Sequence, residues 1–212
     1  MGFIDSLTSQ FPVFIQILAS LAILAIVIVF RAPSYFKGSF SRSYKASVER
    51  LFLIISDRNI FREHRKALEL VEDLTDKNDA DAKPKWKEYS SKGAGYIIYQ
   101  INRSVPNELL EVEMVESTFH MRAKFTYEIS EDPDDSSLSL VTITEESNIT
   151  NVIVKLIMSI GGRGANARRD LDIIESELKL QHEVYEEYKT KYEKENEGEI
   201  PKEEDIVTKK DN

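Results

Sequence analysis

The sequence of 212 residues contains no cysteine, which excludes disulfides, thiol nucleophiles and thiolate metal sites. Only three histidines occur, His64, His120 and His182, and no two of them have the i, i+4 spacing of a helical metal site. A Gly-x-Ser-x-Gly nucleophile motif is also lacking. We therefore predict no metal site, no cofactor and no assignable catalytic residue. The net charge of −9 has the wrong sign for a nucleic-acid partner.

Residues 11–30 form one long hydrophobic run without a charged side chain. A helix of about 20 residues spans about 30 Å, the thickness of the hydrocarbon core of a bilayer. A cleaved signal peptide would need a basic segment before the run, but the only charged residue there is Asp5. The pattern predicts one transmembrane helix over 11–30, after a short N-terminal segment of residues 1–10.

The residues after this run predict its orientation. Arg31, Lys37, Arg42 and Lys45 follow the run, and no acidic residue lies between Arg31 and Glu49. The positive-inside rule then places the C-terminal domain in the cytoplasm and the N-terminus outside. We expect a single-pass protein of a bacterial inner membrane, with the bilayer as one partner.

The remaining chain predicts one α+β domain over 39–192, after a linker at 31–38 and before a charged, disordered tail at 193–212. Strands are predicted over 39–46, 68–74, 85–90, 95–102, 109–117, 119–129 and 138–146. Helices are predicted over 48–55, with Ser47 as the N-cap, and over 59–67, 152–160 and 165–192.

The strand over 119–129 carries the clearest pattern, because apolar and polar residues alternate through it. The apolar positions are Phe119, Met121, Ala123, Phe125, Tyr127 and Ile129. An antiparallel sheet with one dry face must cover that face, and the final helix is the only element long enough to do so. We predict a curved antiparallel sheet around a long C-terminal helix.

Several short sequence motifs follow the pattern of a known superfamily. They are Asn59, Phe61, His64, Leu68, Val71 and Glu72; Trp86 opening a strand; Pro106, Leu110 and Glu111 in a hairpin; residues 125–128; and Leu171, Ile174 and Leu178 in the final helix. Over residues 38–180 the chain resembles the START-like or SRPBCC superfamily, which includes polyketide cyclase/dehydrase and lipid-transport members. The resemblance implies a helix-grip fold, in which a bent sheet holds the long helix around an apolar cavity.

The resemblance also implies a function, the binding of a lipid or another hydrophobic small molecule in this cavity. The predicted membrane anchor lies outside the resemblance and would make the domain a membrane-tethered binding module. Two alternatives remain open. The first is a cyclase- or dehydratase-like enzyme that uses the same pocket, although no acid–base constellation supports it. The second is a non-catalytic scaffold with a filled core that binds other proteins. We expect binding rather than catalysis.

The candidate pocket residues lie on the predicted dry strand faces, where a cavity wall and an ordinary core have the same pattern. They are Trp86, Tyr96, Tyr99, Val112, Met114, Glu116, Met121, Phe125 and Tyr127. Glu116 lies two residues after Met114, so it is predicted on the same face of the strand as Val112 and Met114. It either marks a polar end of the pocket or lies in water beyond the end of the strand, because an unpaired buried carboxylate is costly.

The glycine-rich segment at 161–164 precedes the long helix. Its free N–H groups could bind an anion or a lipid head group, with Arg163, Arg168 and Arg169 supplying charge. The alternative is that the glycines end one helix and start the next at a new angle.

Overall fold

The computed structural model describes residues 2–31, 33–79, 81–162 and 164–195. The helices are α1 (Gly2–Arg31), α2 (Val48–Ser56), α3 (Arg58–His64), α4 (Val152–Gly161) and α5 (Ala165–Glu195). The strands are β1 (Tyr35–Tyr44), β2 (Leu68–Asp73), β3 (Lys85–Ser90), β4 (Tyr96–Val105), β5 (Leu109–Ser117), β6 (Met121–Glu131) and β7 (Ser139–Ile149). The predicted order of strands and helices is confirmed. Strand β1 begins at Tyr35, so the predicted linker contains the first residues of a strand.

All seven strands form one antiparallel sheet in the order β1-β7-β6-β5-β4-β3-β2. Strand β1 pairs with β7 along its whole length, from Tyr35 opposite Asn148 to Tyr44 opposite Ser139. The remaining strands follow one another as a meander. Two register shifts between β4 and β5, at Ile98/Tyr99 and Ile101/Arg103, act as bulges that bend the sheet.

Strand β6 shows how the alternating pattern forms the core. Ala123, Phe125, Tyr127 and Ile129 are buried on one face, whereas Arg122 is exposed on the other. The predicted dry and wet faces are therefore confirmed. The strand begins at Met121 rather than Phe119, because His120 has a positive φ of 51° and belongs to the preceding turn.

Helix α5 covers the concave side of the sheet. The described core cluster contains Ala167, Leu171 and Ile174 from α5, together with side chains from α2 and from strands β1 and β3–β7. The Tyr44 hydroxyl of β1 donates to the carbonyl of Leu171 at 2.8 Å. Between Lys179 and Lys189 most residues of the helix are exposed. The helix-grip arrangement is thus present.

The first turn of α5 is held by a buried carboxylate from β7. Glu145 accepts from the backbone N–H of Ala167 and from the Asn166 amide, each at 3.2 Å. Burial raises the pKa of Glu145, and these two hydrogen bonds oppose that rise. The carboxylate satisfies a donor that every helix N-terminus leaves open and so fixes where α5 begins on the sheet.

The structure does not support the predicted transmembrane helix over 11–30. No helix among the described residues is long and apolar enough to cross a membrane. The tail prediction lies mostly outside the described residues, since α5 continues to Glu195 and the description ends there.

Candidate functional site

Five polar side chains meet between the sheet and α5, and we call them the buried charge cluster: Arg58, Arg65, Glu88, Tyr127 and Asp170. Arg58 opens α3 and Arg65 follows its last residue. Glu88 lies on β3, Tyr127 on β6 and Asp170 on α5. The cluster therefore joins four elements at the position where the resemblance implied a cavity.

Arg65 is the centre of this cluster. Its Nη2 donates to Oδ1 of Asp170 at 2.7 Å, and its Nη1 donates to Oε2 of Glu88 at 3.3 Å. The Tyr127 hydroxyl donates to the other oxygen of Asp170 at 2.8 Å. Burial works against the charge of Arg65, but the two carboxylates outweigh burial and raise its pKa. The cation is thus held permanently charged.

Glu88 reaches the interior because of the period-2 pattern of β3. Trp86 and Glu88 share the buried face of this strand, whereas Lys85 and Lys87 lie on the other. The indole N–H of Trp86 donates to Oε1 of Glu88 at 3.1 Å. Both carboxylate oxygens of Glu88 therefore have donors, as a buried anion requires.

Aromatic rings form the wall beside the cluster. Trp86 and Tyr99 are stacked, with ring centroids 5.4 Å apart and an interplanar angle of 17°. Burial raises the pKa of Tyr99 and of Tyr127, with a further contribution from the nearby carboxylates, so both hydroxyls stay protonated, and that of Tyr127 donates to Asp170. The interior thus combines flat apolar surfaces with a few fixed polar groups.

Unlike Arg65 and Tyr127, Arg58 forms no hydrogen bond to a carboxylate among the described residues. Its Cζ atom lies over the Trp86 ring, 4.4 Å from the ring centroid, and over the Phe61 ring, 5.8 Å from the centroid. The side chain as a whole is only partly buried, but its Nε and Nη2 atoms are shielded from solvent. Neither atom has a hydrogen-bond partner within the described part of the chain. Burial lowers the pKa of Arg58.

The structure brings together six of the nine predicted pocket residues, which are buried in one core cluster. They are Trp86, Tyr99, Val112, Met114, Phe125 and Tyr127. Met121 packs partly buried against them. Tyr96 and Glu116 lie apart from this cluster and form a hydrogen bond with each other, from the Tyr96 hydroxyl to the exposed Glu116 carboxylate. Glu116 is exposed, but it lies within β5 and pairs with Ile98 rather than lying beyond the end of the strand.

Two of the three arginines predicted as a head-group site, Arg168 and Arg169, are described, and they contact different groups. Arg168 lies over the Phe40 ring at 4.9 Å, whereas Nη2 of Arg169 lies 3.7 Å from Asp170. Arg163 lies outside the described residues. A Cβ on Gly164, which has a φ of 74°, would approach the Phe40 ring to 2.2 Å. Glycine is therefore required there for α4 to end and α5 to begin close to β1, as the helix-break interpretation states.

Sequence reasoning missed the four charged members of the buried charge cluster. The sequence contains only weak indications of their position. Glu88 lies two residues after Trp86 and so faces the same side of the strand, and Asp170 precedes Leu171 and lies one helical turn before Ile174. Charged residues at such places are usually solvated, so the pattern alone gave no reason to place them inside.

Two clefts that the structure describes lie beside turns between strands. One of about 790 Å³ opens beside the β4–β5 turn, between Val48, Asn107 and Glu128. Another of about 510 Å³ lies at the β5–β6 turn, beside His120 and Arg122. The space between the sheet and α5 is instead occupied by core side chains and the buried charge cluster.

The sequence matches no protein-family model and no curated protein. Solved structures do share the architecture. A START superfamily protein from Mycobacterium smegmatis aligns with 68% of this chain and 97% of its own, at 14% identity and a TM-score of 0.51. The Zhui aromatase/cyclase from Streptomyces sp. R1128 aligns with 69% of this chain and 95% of its own, at 9% identity and a TM-score of 0.55.

A third structure is norcoclaurine synthase from Thalictrum flavum, in complex with dopamine and hydroxybenzaldehyde. It aligns with 74% of this chain and 92% of its own, at 14% identity and a TM-score of 0.53. The fold is of the START type. At sequence identities of 9% and 14%, the similarity to these structures shows the fold alone and assigns no functional role to any residue. The helix-grip fold implied by the sequence is confirmed at this level.

Proposed function

We propose that the domain binds a hydrophobic small molecule, such as a lipid, between the sheet and α5. The observation that carries this proposal is the composition of that interior, where aromatic and aliphatic side chains surround a few convergent polar groups. Sites for small molecules typically have this composition. The START-type fold agrees with it, since neighbours of this fold include an aromatase/cyclase and a synthase bound to two small aromatic molecules.

Binding at this place requires the interior to open. Arg65 and His64, at the end of α3, hold this helix to α5 through Asp170 and through Glu177, whose Oε2 lies 2.9 Å from Nε2 of His64. Helix α3 has only seven residues, and Phe61 is its one fully buried side chain. A short helix with few core contacts opens at lower cost than the strands do. We propose that α3 moves away from α5 to admit the ligand.

The ligand is expected to remain with the protein during purification. The full chain should be produced in a heterologous host, kept in a nonionic detergent and analysed by native mass spectrometry. The expected result is an added mass that is released on denaturation and is identified as a hydrophobic molecule. An apo mass that stays apo after incubation with a lipid extract would contradict the proposal and favour a filled scaffold.

We also propose that α1 tethers the domain to a membrane, with the domain on the cytoplasmic side. The proposal rests on large apolar side chains that α1 leaves exposed: Val13, Phe14, Ile15, Ile17, Leu18, Leu21, Ile23, Leu24, Ile26, Val27 and Phe30. Contiguous exposed apolar surface of this kind is typical of membrane or partner contacts. The basic residues after α1, including Arg31 and Lys37, favour the cytoplasmic side.

Fractionation of cells tests the tether. The full chain is expected in the membrane fraction, whereas a chain without residues 1–31 is expected in the supernatant. The folding of the shortened chain is checked by the fluorescence of the buried Trp86. Full-length protein in the supernatant would contradict the tether.

A further inference from the structure

The unpaired donors of Arg58 have a defined geometry. The Nε–H and one N–H of Nη2 point in the same direction along one edge of the planar guanidinium. Both atoms are shielded from solvent and lack a partner among the described residues. Trp86 and Phe61 approach the guanidinium through their ring faces, and Nε and Nη2 at this edge have no hydrogen-bond partner among the described residues. The edge is therefore two parallel donors without an acceptor.

The surrounding charges explain why no internal acceptor serves this edge. The buried charge cluster contains two cations and two anions, Arg58 and Arg65 against Glu88 and Asp170. Each of the four carboxylate oxygens already accepts a hydrogen bond from Arg65, Trp86 or Tyr127, and none accepts one from Nε or Nη2 of Arg58. Unsatisfied buried donors are rare in native proteins because they lose hydration without compensation. An external acceptor would remove this cost.

Resting on the function proposed above, we propose that the edge of Arg58 binds the carboxylate of an amphipathic ligand, such as a fatty acid. A carboxylate places two oxygens in the spacing of the Nε and Nη2 donors and forms a bidentate, charge-assisted pair with them. The apolar part of the ligand then lies against the stacked rings of Trp86 and Tyr99. A neutral ligand of the same length leaves the charge of Arg58 unpaired.

The proposal is tested with two probes that differ in the head group alone, decanoic acid and decan-1-ol. Dissociation constants are measured by native mass spectrometry on the full chain. All variants are measured in the same detergent, so that the loss of each probe into detergent micelles is the same for every variant. The wild-type chain is expected to bind the acid about tenfold to a hundredfold more tightly than the alcohol, the range of a charge-assisted hydrogen bond.

The matched variants are Arg58→Met and Arg103→Met, the second removing an exposed arginine of β4. Arg58→Met is expected to abolish the preference for the acid and to change binding of the alcohol by less than about twofold, whereas Arg103→Met keeps the wild-type preference. Equal binding of both probes by the wild-type chain, a comparison that requires no variant, would overturn this inference and leave the proposed function intact. Binding of neither probe would overturn both.

Discussion

Replacing Asp170 with asparagine is expected to lower the free energy of unfolding by about 3–5 kcal/mol, the usual cost of breaking a buried ion pair from one side. Asp170 is 2% exposed and accepts hydrogen bonds from both Arg65 and Tyr127. The amide keeps the shape but loses the charge, so Arg65 keeps only Glu88 as a counter-ion and Arg58 loses a nearby anion. Urea unfolding at pH 7 measures the effect.

The fluorescence of Trp86 is a suitable signal, because it is the only tryptophan of the chain and lies beside the cluster. Asp172→Asn is the matched control on the same helix. The Asp172 side chain is 66% exposed and pairs with Arg42 at 2.9 Å, so its loss is expected to cost less than about 1 kcal/mol. Equal losses for the two variants would show that Asp170 is not buried in an ionic cluster.

Truncating Ile174 to alanine is expected to lower the free energy of unfolding by about 2–5 kcal/mol, through lost burial and the cavity that remains. Ile174 is fully buried and belongs to the part of α5 that packs against the sheet. The same urea experiment measures this change.

Leu180→Ala is the control for that truncation, since Leu180 lies on the same helix but is 46% exposed. Its expected cost is roughly 0.5 kcal/mol, typical of a surface position. If Leu180→Ala were as costly as Ile174→Ala, the second half of α5 would have to be covered as well, contrary to the arrangement described above.

The order of elements could be predicted because most strands have only one buried face. The bounds of β3 and β5 agree with the sequence prediction. The alternation in β6 correctly assigns Phe125 and Tyr127 to the buried face and Arg122 to the exposed face. The start of β6 was wrong, since a residue with positive φ such as His120 leaves no mark on hydrophobic alternation. The bulges of β4 were likewise not foreseen, because a register shift depends on the neighbouring strand.

The candidate site was predictable only in its apolar part. The inward position of Trp86, Tyr99 and Phe125 could be predicted from the alternation of apolar and polar residues in their strands. The charged part was not predictable, because the pair of Arg65 and Asp170 joins residues 105 positions apart. A single sequence carries no sign of such a pair, and an arginine at the start of a short helix, such as Arg58, is usually expected in water.

The central claim is that a hydrophobic molecule binds between the sheet and α5, and Trp86 fluorescence tests it directly. The full chain is titrated with decanoic acid while the emission of this single tryptophan is recorded. The account predicts a saturable change with one-to-one stoichiometry, because the ligand lies against the stacked rings of Trp86 and Tyr99. An emission spectrum that stays constant at ligand concentrations that load the chain, or that changes without saturation, would contradict it.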